Sequence, residues 1–325
     1  MSEFNHGDSE VPGTRDLHGS EVACINATTF WPLLHVMESA WLEHGPFALW
    51  LMDVVRPRVL VELGAHKGFS YLAFCQATKW LGLATACYAV DTWRGDEHAG
   101  HYGEDVFAQL NALNDRDYAG FSRLLRCRFD EALPYFADGS IDLLHIDGRH
   151  TYDDVRSDFE SWKPKLSSRA VVLFHDTNVR ERDFGVWRFW AELQVQYPSF
   201  EFLHGHGLGV LAVGADIPVG LRPLFEADTD QRSAIAAAYA RLGRAVSREF
   251  VLDQVFRNLG AANTAINQLQ AERQSTQAEN ANLHAQLNEK QQALQVLRQA
   301  FDEQRNIAEQ RGGALAMEVK TECAA

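Results

Sequence analysis

The stretch VELGAHKGFS, residues 61–70, decides the fold expected of this 325-residue chain. An apolar run over 58–63 reads as a strand, two glycines four residues apart follow it, and a helix is expected from Ser70. In an open α/β sheet the ligand lies at the carboxyl ends of the strands, and the turn after the first strand comes closest to it. The stretch therefore predicts a ligand-binding turn near the start of an α/β domain.

Strands and helices alternate along the chain around this turn. Strands rich in Val, Leu and Ile without polar alternation are typical of a parallel sheet covered on both faces. The last two strands, 200–203 and 208–214, are joined by four residues, which is too short for a crossover helix, so they are expected to pair antiparallel. The sequence predicts an α/β, doubly wound, seven-stranded, mostly parallel sheet with a terminal antiparallel hairpin. The remaining strands are expected at 58–63, 86–90, 122–127, 141–146 and 170–174, with helices from Ser70, Glu104, Thr151 and Phe184 and two helices over 28–55.

The C-terminal third has a different composition, rich in Ala, Gln, Glu and Asn, with hardly a helix breaker from Asp230 to Gly312-Gly313. One or two very long helices are expected there. Residues 266–308 follow a heptad register in which eight of thirteen seam positions are apolar, which predicts a coiled coil and a homo-oligomer. Three successive polar seam positions near Arg273 weaken it, and a solvated helix is the alternative. The seam is Ile266, Leu269, Arg273, Thr276, Asn280, Leu283, Leu287, Lys290, Leu294, Leu297, Phe301, Gln304 and Ala308.

Five segments are expected in chain order. They are a disordered leader (1–27), the α/β domain (28–216), a helical linker (217–260), the coiled coil (261–312) and a disordered tail (313–325).

Composition limits the function classes. A net charge of -14 repels phosphate backbones, so nucleic acid is not an expected partner. We find neither an apolar run long enough to span a bilayer nor an N-terminal targeting pattern, so a cytoplasmic chain is expected. The five cysteines form no CxxC pair, which argues against a disulfide framework and a zinc knuckle.

The turn also predicts its ligand. His66 stands where a dinucleotide fingerprint would have its second glycine, which disfavours NAD or FAD. Glu62 at the strand end suits a cationic ligand such as S-adenosylmethionine, a sulfonium with an ammonium group. Asp91 closes the second strand, where a carboxylate can accept both ribose hydroxyls. An ordinary tight turn at Gly64 and Gly68, and an N-cap at Asp91, are the structural alternatives.

These residues resemble the class I S-adenosylmethionine-dependent methyltransferases over roughly 50–215, through VELGAHKGFS, AVDTW (89–93) and the terminal hairpin. HIDGRHTYDDVRSDF (145–159) and FHDT (174–177) are similar to the branch of sugar and macrolide O-methyltransferases and cephalosporin-hydroxylase-like proteins. The resemblance implies cofactor roles for Glu62, Gly64, Gly68 and Asp91, and an adenine contact for Asp130.

Methyl transfer to a hydroxyl group requires that the acceptor lose a proton. Asp147 and Asp176 end neighbouring strands, so two carboxylates are expected to meet and to bind Mg²⁺ or Mn²⁺. Metal-dependent relatives usually have a third oxygen ligand beside the second aspartate, whereas here His175 precedes Asp176 and Thr177 follows it. His150, three residues after Asp147, is the expected general base, and His175 is a further candidate in the catalytic site.

The loop 92–103 is predicted to be a lid or an acceptor-binding wall, because it holds Trp93, His98, His101 and Tyr102 between glycines. A solvated loop is the alternative. His204 and His206 are assigned to turn geometry, since glycines flank them.

The sequence thus predicts an O-methyltransferase that acts on a hydroxyl of a sugar, glycan or related small molecule, as in polysaccharide biosynthesis. Two alternatives stay open: an NAD(P)-linked oxidoreductase, and a coiled-coil scaffold with a non-catalytic nucleotide-binding domain.

Overall fold

The computed structural model describes residues 24–96 and 100–322, with side chains described as far as residue 313 except for Asp96. The chain divides into two compact units, with the boundary after Leu252. Most of the expected leader lies outside the described residues. Its described end is ordered, because Cys24 is fully buried.

The described residues form nine β-strands and eight α-helices. The strands are β1 (Val59–Leu63), β2 (Ala86–Asp91), β3 (Gly95–Asp96), β4 (Gly100–His101), β5 (Ser122–Arg126), β6 (Ile141–Ile146), β7 (Leu166–His175), β8 (Ser199–Phe202) and β9 (Leu208–Ala212). The helices are α1 (Gly45–Val55), α2 (Phe69–Trp80), α3 (Glu104–Asp117), α4 (Phe129–Ala132), α5 (Tyr152–Trp162), α6 (Val186–Gln194), α7 (Arg222–Glu226) and α8 (Thr229–Glu322).

Seven of these strands form one sheet in the order β5-β2-β1-β6-β7-β9-β8. The first five pair in parallel, while β9 pairs antiparallel with both β7 and β8. The predicted fold class is confirmed. The chain builds outward from β1 through β2 to β5, then returns to β6 beside β1, and a sheet opens a crevice where its order reverses in this way.

The segment before α1 differs from the prediction. Of two expected helices only α1 forms, and the first is replaced by 3₁₀ turns at Ala27–Phe30 and Leu42–His44. Pro32 supplies no backbone N–H and disfavours helical backbone at the residue before it. The side-chain amide of Gln76 instead makes hydrogen bonds with the backbone of this segment. Its Nε2 donates to the Pro32 carbonyl and its Oε1 accepts from the Leu34 N–H.

Helix α5, expected from Thr151, buries Val155, Phe159 and Trp162 on one face. Thr151 caps it by accepting from the Asp154 N–H at 3.2 Å. The Asp154 carboxylate in turn accepts the Thr151 hydroxyl proton at 2.6 Å. The cap fixes the helix beside the carboxyl end of β6.

Helix α8 begins within the first unit. Ile235 and Tyr239 are buried in the core, and the Tyr239 hydroxyl donates to the Cys24 carbonyl at 2.6 Å. The start of the segment expected as a linker therefore packs on the α/β domain. The helix also continues through Gly312-Gly313 to Glu322, so residues 313–322, expected to be disordered, are helical.

In the second unit the side chains described from Asp253 onward are exposed. Among the described residues, we found no helix with the length and apolar character needed to span a membrane.

Candidate functional site

A cavity of about 1020 Å³ opens at the carboxyl ends of the parallel strands. Its walls come from the turn after β1 and from the ends of β2, β5, β6 and β7, where the sheet order reverses. The sequence-predicted site residues in its lining are Gly64, Gly68, Asp91, Asp130, Asp147, His150, His175 and Asp176. Glu62 is absent from that lining.

The turn after β1 requires both of its glycines. Gly64 and Gly68 have φ of +88° and +91°, which side chains rarely tolerate. A Cβ at Gly64 would also run into the backbone carbonyl of Asp147, and one at Gly68 into Leu110. The turn after β1 therefore rests directly on the backbone at the end of β6.

Asp91 holds this turn in place. Its carboxylate accepts the backbone N–H groups of Ala65 (3.0 Å), His66 (2.9 Å) and Trp93 (2.7 Å). Burial raises the pKa of Asp91, and these three hydrogen bonds oppose that rise. Asp91 is thus a structural anchor as well as a polar group facing the cavity.

Glu62 lies beneath the turn rather than in the cavity. It is fully buried, with one oxygen accepting from Ser70 at 2.8 Å and the other 3.0 Å from Nδ1 of His145. Burial raises the pKa of Glu62, against the charge and hydrogen bond of His145. Direct contact with a cationic ligand is not available to this carboxylate. His145, which is itself fully buried, is its partner.

The predicted adenine contact lies at the mouth of the cavity. Asp130 is exposed and pairs with Arg128 at 3.0 Å. The ring of Phe129 covers Gly148, where a Cβ would collide with it. Asp158 of α5, which the sequence analysis missed, also lines the cavity. Burial, with the nearby charges of Asp154 and Asp130, raises the pKa of Asp158 to about 7.

The ends of β6 and β7 bring together what we term the acid–imidazole cluster: Asp147, His150, His175, Asp176 and His206. Nε2 of His150 lies 3.0 Å from Asp176 Oδ2 and 3.7 Å from Asp147 Oδ1. Nδ1 of His175 lies 3.2 Å from Asp147 Oδ1 and 3.6 Å from Asp176 Oδ1. Nδ1 of His206 lies 3.4 Å from Asp176 Oδ1. The predicted grouping of the first four residues is therefore present.

The cluster is strongly coupled electrostatically. Burial alone would raise the pKa of Asp147, but His175 and His150 outweigh it and hold that pKa well below its usual value. Burial would lower the pKa of His150 and of His175, yet the two carboxylates raise them to about 10 and about 9. Both carboxylates therefore favour the protonated form of the His150 ring.

Two cluster residues have strained backbones. Asp176 has φ of 60° and His206 has φ of 70°, a region that residues other than glycine enter at a cost of about 1 kcal/mol or more. The Asn178 N–H donates to the His206 carbonyl at 2.9 Å and ties the two loops together. His206, assigned by sequence to turn geometry, thus also faces the site.

Behind the cluster, His175 and His44 share one acceptor. Nε2 of His175 and Nε2 of His44 lie 3.1 Å and 2.9 Å from the Gly205 carbonyl oxygen. Burial, followed by the charge of His175, lowers the pKa of His44 well below its usual value. His44 was not predicted as a site residue, because it lies in the break before α1.

The described residues of the predicted lid loop lie in two environments, the core and the cavity wall. Trp93 is buried and donates from Nε1 to the His66 carbonyl at 3.0 Å, so it belongs to the core. Tyr102 packs on the His66 ring with centroids 4.8 Å apart and, like His101, lines the cavity. His98 lies outside the described residues.

Three side chains of the acid–imidazole cluster bring possible ligand atoms for a metal ion close together. One ligand atom from each of Asp147, His175 and Asp176 lies within 4.8 Å of the other two. Oδ1 of Asp176 is buried and accepts no hydrogen bond from the described residues. The predicted pair of aspartates therefore meets, with an imidazole nitrogen beside it.

Comparison with known proteins gives a family match for part of the chain. Residues 61–177 match the family described as a methyltransferase domain. The uncharacterized protein y4gI of Sinorhizobium fredii (strain NBRC 101917 / NGR234) is 49% identical over 255 residues, 78% of this chain and 28% of that protein. The chain thus spans little more than a quarter of the length of this relative.

Solved structures that resemble the chain do so at low identity. A putative caffeoyl-CoA O-methyltransferase from Staphylococcus aureus is 14% identical, with TM-score 0.42, over 55% of this chain and 86% of that one. The methyltransferase PaMTH1 of Podospora anserina with bound SAH is 14% identical, with TM-score 0.41, over 55% and 89%. The O-methyltransferase TomG from Streptomyces achromogenes, in complex with SAM, is 16% identical, with TM-score 0.40, over 56% and 92%. Residues 61–177, which include the end of β1 and all of β2, β5, β6 and β7 of the sheet, thus match the model of a methyltransferase domain.

Proposed function

We propose that the chain transfers the methyl group of S-adenosylmethionine to a hydroxyl of a sugar, glycan or related small molecule. The observation that carries this proposal is a single cavity lined by both the turn after β1 and the acid–imidazole cluster. A methyl donor bound at the turn after β1, the donor half of the cavity, would face the ionisable groups of the acid–imidazole cluster in the other half. In-line displacement depends on such positioning of donor and acceptor.

The donor half of the cavity has few polar groups, and hydrogen bonds hold them in place. A carboxylate has about four acceptor sites, so Asp91, which accepts three N–H groups, retains capacity for a ribose hydroxyl. We assign the adenine contact to Asp130, which lines the cavity, as the resemblance implies. Gly64 and Gly68 let the backbone approach the donor, while Glu62 supports the turn from below through Ser70 and His145.

A dinucleotide is the weaker ligand for this turn. His66 adopts φ of 47° and its ring packs against Tyr102 in the cavity wall. A dinucleotide fingerprint has glycine there so that the backbone can reach the pyrophosphate. The imidazole therefore favours S-adenosylmethionine over NAD(P) and argues against the oxidoreductase alternative.

At the acceptor end we assign proton removal to His150, with Asp147 and Asp176 as ligands of a divalent cation, Mg²⁺ or Mn²⁺. The orphaned Asp176 Oδ1 and the clustered ligand atoms fit such an ion. When bound, it would acidify and orient an acceptor hydroxyl. With both carboxylates engaged, their hold on the His150 proton would weaken, and the ring could then act as base.

We further propose that α8 self-associates through the predicted heptad seam, since Ile266, Leu269, Leu283 and Leu287 are 50–64% exposed. An acceptor from polysaccharide biosynthesis and a cytoplasmic location stay predictions.

A methyl-transfer assay over a panel of sugars and glycolipids, with and without chelator, tests the reaction, the acceptor class and the metal. His150→Ala should lower turnover by about 10²-fold or more, as expected for loss of a general base. His284→Ala, an exposed histidine on α8, is the matched control and should leave turnover unchanged.

Titration with S-adenosylhomocysteine and with NADH separates the alternatives. Tight NADH binding without S-adenosylhomocysteine binding would contradict the proposal. The scaffold alternative predicts instead that His150→Ala and Asp147→Asn leave the biological phenotype intact.

A further inference from the structure

We propose that Nδ1 of His175 is a direct metal ligand and that this nitrogen makes the site select a transition-metal ion such as Mn²⁺ over Mg²⁺. The inference deepens the proposed function and rests on its cation site. It assigns His175 to coordination rather than to proton transfer.

The tautomer of His175 follows from its hydrogen bond to the backbone. Nε2 lies 3.1 Å from the Gly205 carbonyl oxygen, and a carbonyl can only accept. Nε2 must therefore carry a proton. In the neutral ring, the lone pair then lies on Nδ1.

That lone pair faces two anionic oxygens. Nδ1 is 3.2 Å from Asp147 Oδ1 and 3.6 Å from Asp176 Oδ1, and an ionised carboxylate has no proton to donate. Three electron-rich atoms in a buried site need a cation between them. The candidates are a ring proton on Nδ1 and a metal ion.

A proton on Nδ1 of His175 can satisfy only one of these oxygens, which leaves Asp176 Oδ1 to the exposed ring of His206. It can be donated to Asp147 Oδ1 at 3.2 Å, but 3.6 Å to Asp176 Oδ1 is beyond hydrogen-bond range. Asp176 Oδ1 accepts no hydrogen bond from the described residues, and His206, 3.4 Å away, is an exposed ring. A metal ion can be held by all three side chains at once, since one ligand atom from each of Asp147, His175 and Asp176 lies within 4.8 Å of the other two.

The neighbouring imidazole does not compete for this position. Nε2 of His150 lies 3.0 Å from Asp176 Oδ2, the other oxygen of that carboxylate. Asp176 can therefore hold His150 with one oxygen and the ion with the other. The backbone at Asp176 is left-handed, with φ of 60°.

The ligand set determines which ion is preferred. Mg²⁺ is bound through oxygen ligands and retained water, whereas imidazole nitrogen suits first-row transition metals. Two carboxylates with one imidazole thus favour Mn²⁺ over Mg²⁺.

Electron paramagnetic resonance of Mn²⁺ bound to the full chain tests the proposal. Pulsed spectra should show coupling to a ¹⁴N nucleus, and labelling the protein with ¹⁵N-histidine should convert it to ¹⁵N coupling. Calorimetry should give at least ten-fold tighter binding of Mn²⁺ than of Mg²⁺. His175→Asp, which replaces the nitrogen by oxygen, should remove the nitrogen coupling and bring the two affinities within a few-fold.

His206→Ala is the matched control, because it removes the other imidazole near Asp176 Oδ1, and it should keep the nitrogen coupling. Wild-type Mn²⁺ spectra without histidine nitrogen coupling, or coupling that persists in His175→Asp, would overturn the proposal. The wild-type measurement stands even where His175→Asp does not fold. Nitrogen coupling without methyl transfer would refute the proposed function alone, and methyl transfer without nitrogen coupling would refute this ligand alone.

Discussion

Gly64 is the residue at which the two halves of the cavity touch. Its φ of +88° is already unfavourable for other residues, and its Cα faces the Asp147 carbonyl with no room for a methyl group. The glycine spacing in the sequence predicted a close approach, although of a ligand rather than of Asp147.

Gly64→Ala should therefore destabilise the fold by about 2 kcal/mol or more and abolish S-adenosylhomocysteine binding. Thermal unfolding and calorimetry measure the two effects. Gly82→Ala is the matched control, since Gly82 also has positive φ, +61°, but has open space around its Cα. It should cost about 1 kcal/mol and leave binding intact. Equal losses in both variants would show that strain alone, not the contact with Asp147, matters.

Asp158 gives the stability a pH dependence. Its pKa is raised from 3.8 to about 7 in the folded chain, so its contribution is complete below pH 4 and is lost as pH rises through 7. Asp158→Asn should match the wild type near pH 4 and be more stable at pH 8, by on the order of 1 kcal/mol after solvent screening.

Denaturant unfolding at both pH values measures this difference. Glu160→Gln, which removes an exposed charge from the same helix, is the control. A gap between Asp158→Asn and wild type that stays constant with pH would contradict the prediction.

At the scale of elements, the strands and helices with buried apolar residues could be predicted from the sequence. A segment whose conformation depends on hydrogen bonds to one distant polar side chain could not. The parallel strands and α5 were predictable because their apolar runs are buried. The helix expected before α1 does not form. Gln76 of α2, distant in sequence, instead makes hydrogen bonds with the backbone near Pro32.

The same distinction holds at the site. Asp147, His150, His175 and Asp176 could be grouped because they follow adjacent strands. The burial of Glu62 against His145, by contrast, depends on cross-strand contacts that no local pattern encodes.

The start of α8 should behave as part of the core. Tyr239 is fully buried, with its ring 5.4 Å from those of Phe47 and Phe202, so Tyr239→Ala should cost about 3–5 kcal/mol. Tyr239→Phe, which loses only the hydrogen bond to Cys24, should cost about 1 kcal/mol. Denaturant unfolding measures both, with Leu259→Ala, at an exposed position, as the neutral control. Similar stability of Tyr239→Ala and wild type would mean that this turn of α8 is not part of the core.

For the molecule as a whole, the heptad seam predicts self-association. Analytical ultracentrifugation should give a mass that is a multiple of 36.5 kDa. The double variant Leu287→Asp with Leu294→Asp should sediment as a monomer, because two charges would enter the seam.

Val296→Asp is the matched control, since Val296 is as exposed as Leu294, 66% against 67%, but lies off the seam. It should leave the mass unchanged. A wild-type chain that is already monomeric at high concentration would favour the solvated-helix alternative.

The contact between Gly64 and the Asp147 carbonyl has a consequence for how such a domain can diversify. Under the proposed function, the spacing between methyl donor and acceptor would depend on these main-chain atoms, which substitutions elsewhere leave in place. Side chains of the surrounding loops, Tyr102 and Phe184 among them, can then change to admit new acceptors without altering that spacing. The range of acceptors could then change while the donor–acceptor spacing stays the same. Redesign of the loops alone should therefore give methyl transfer to new acceptors.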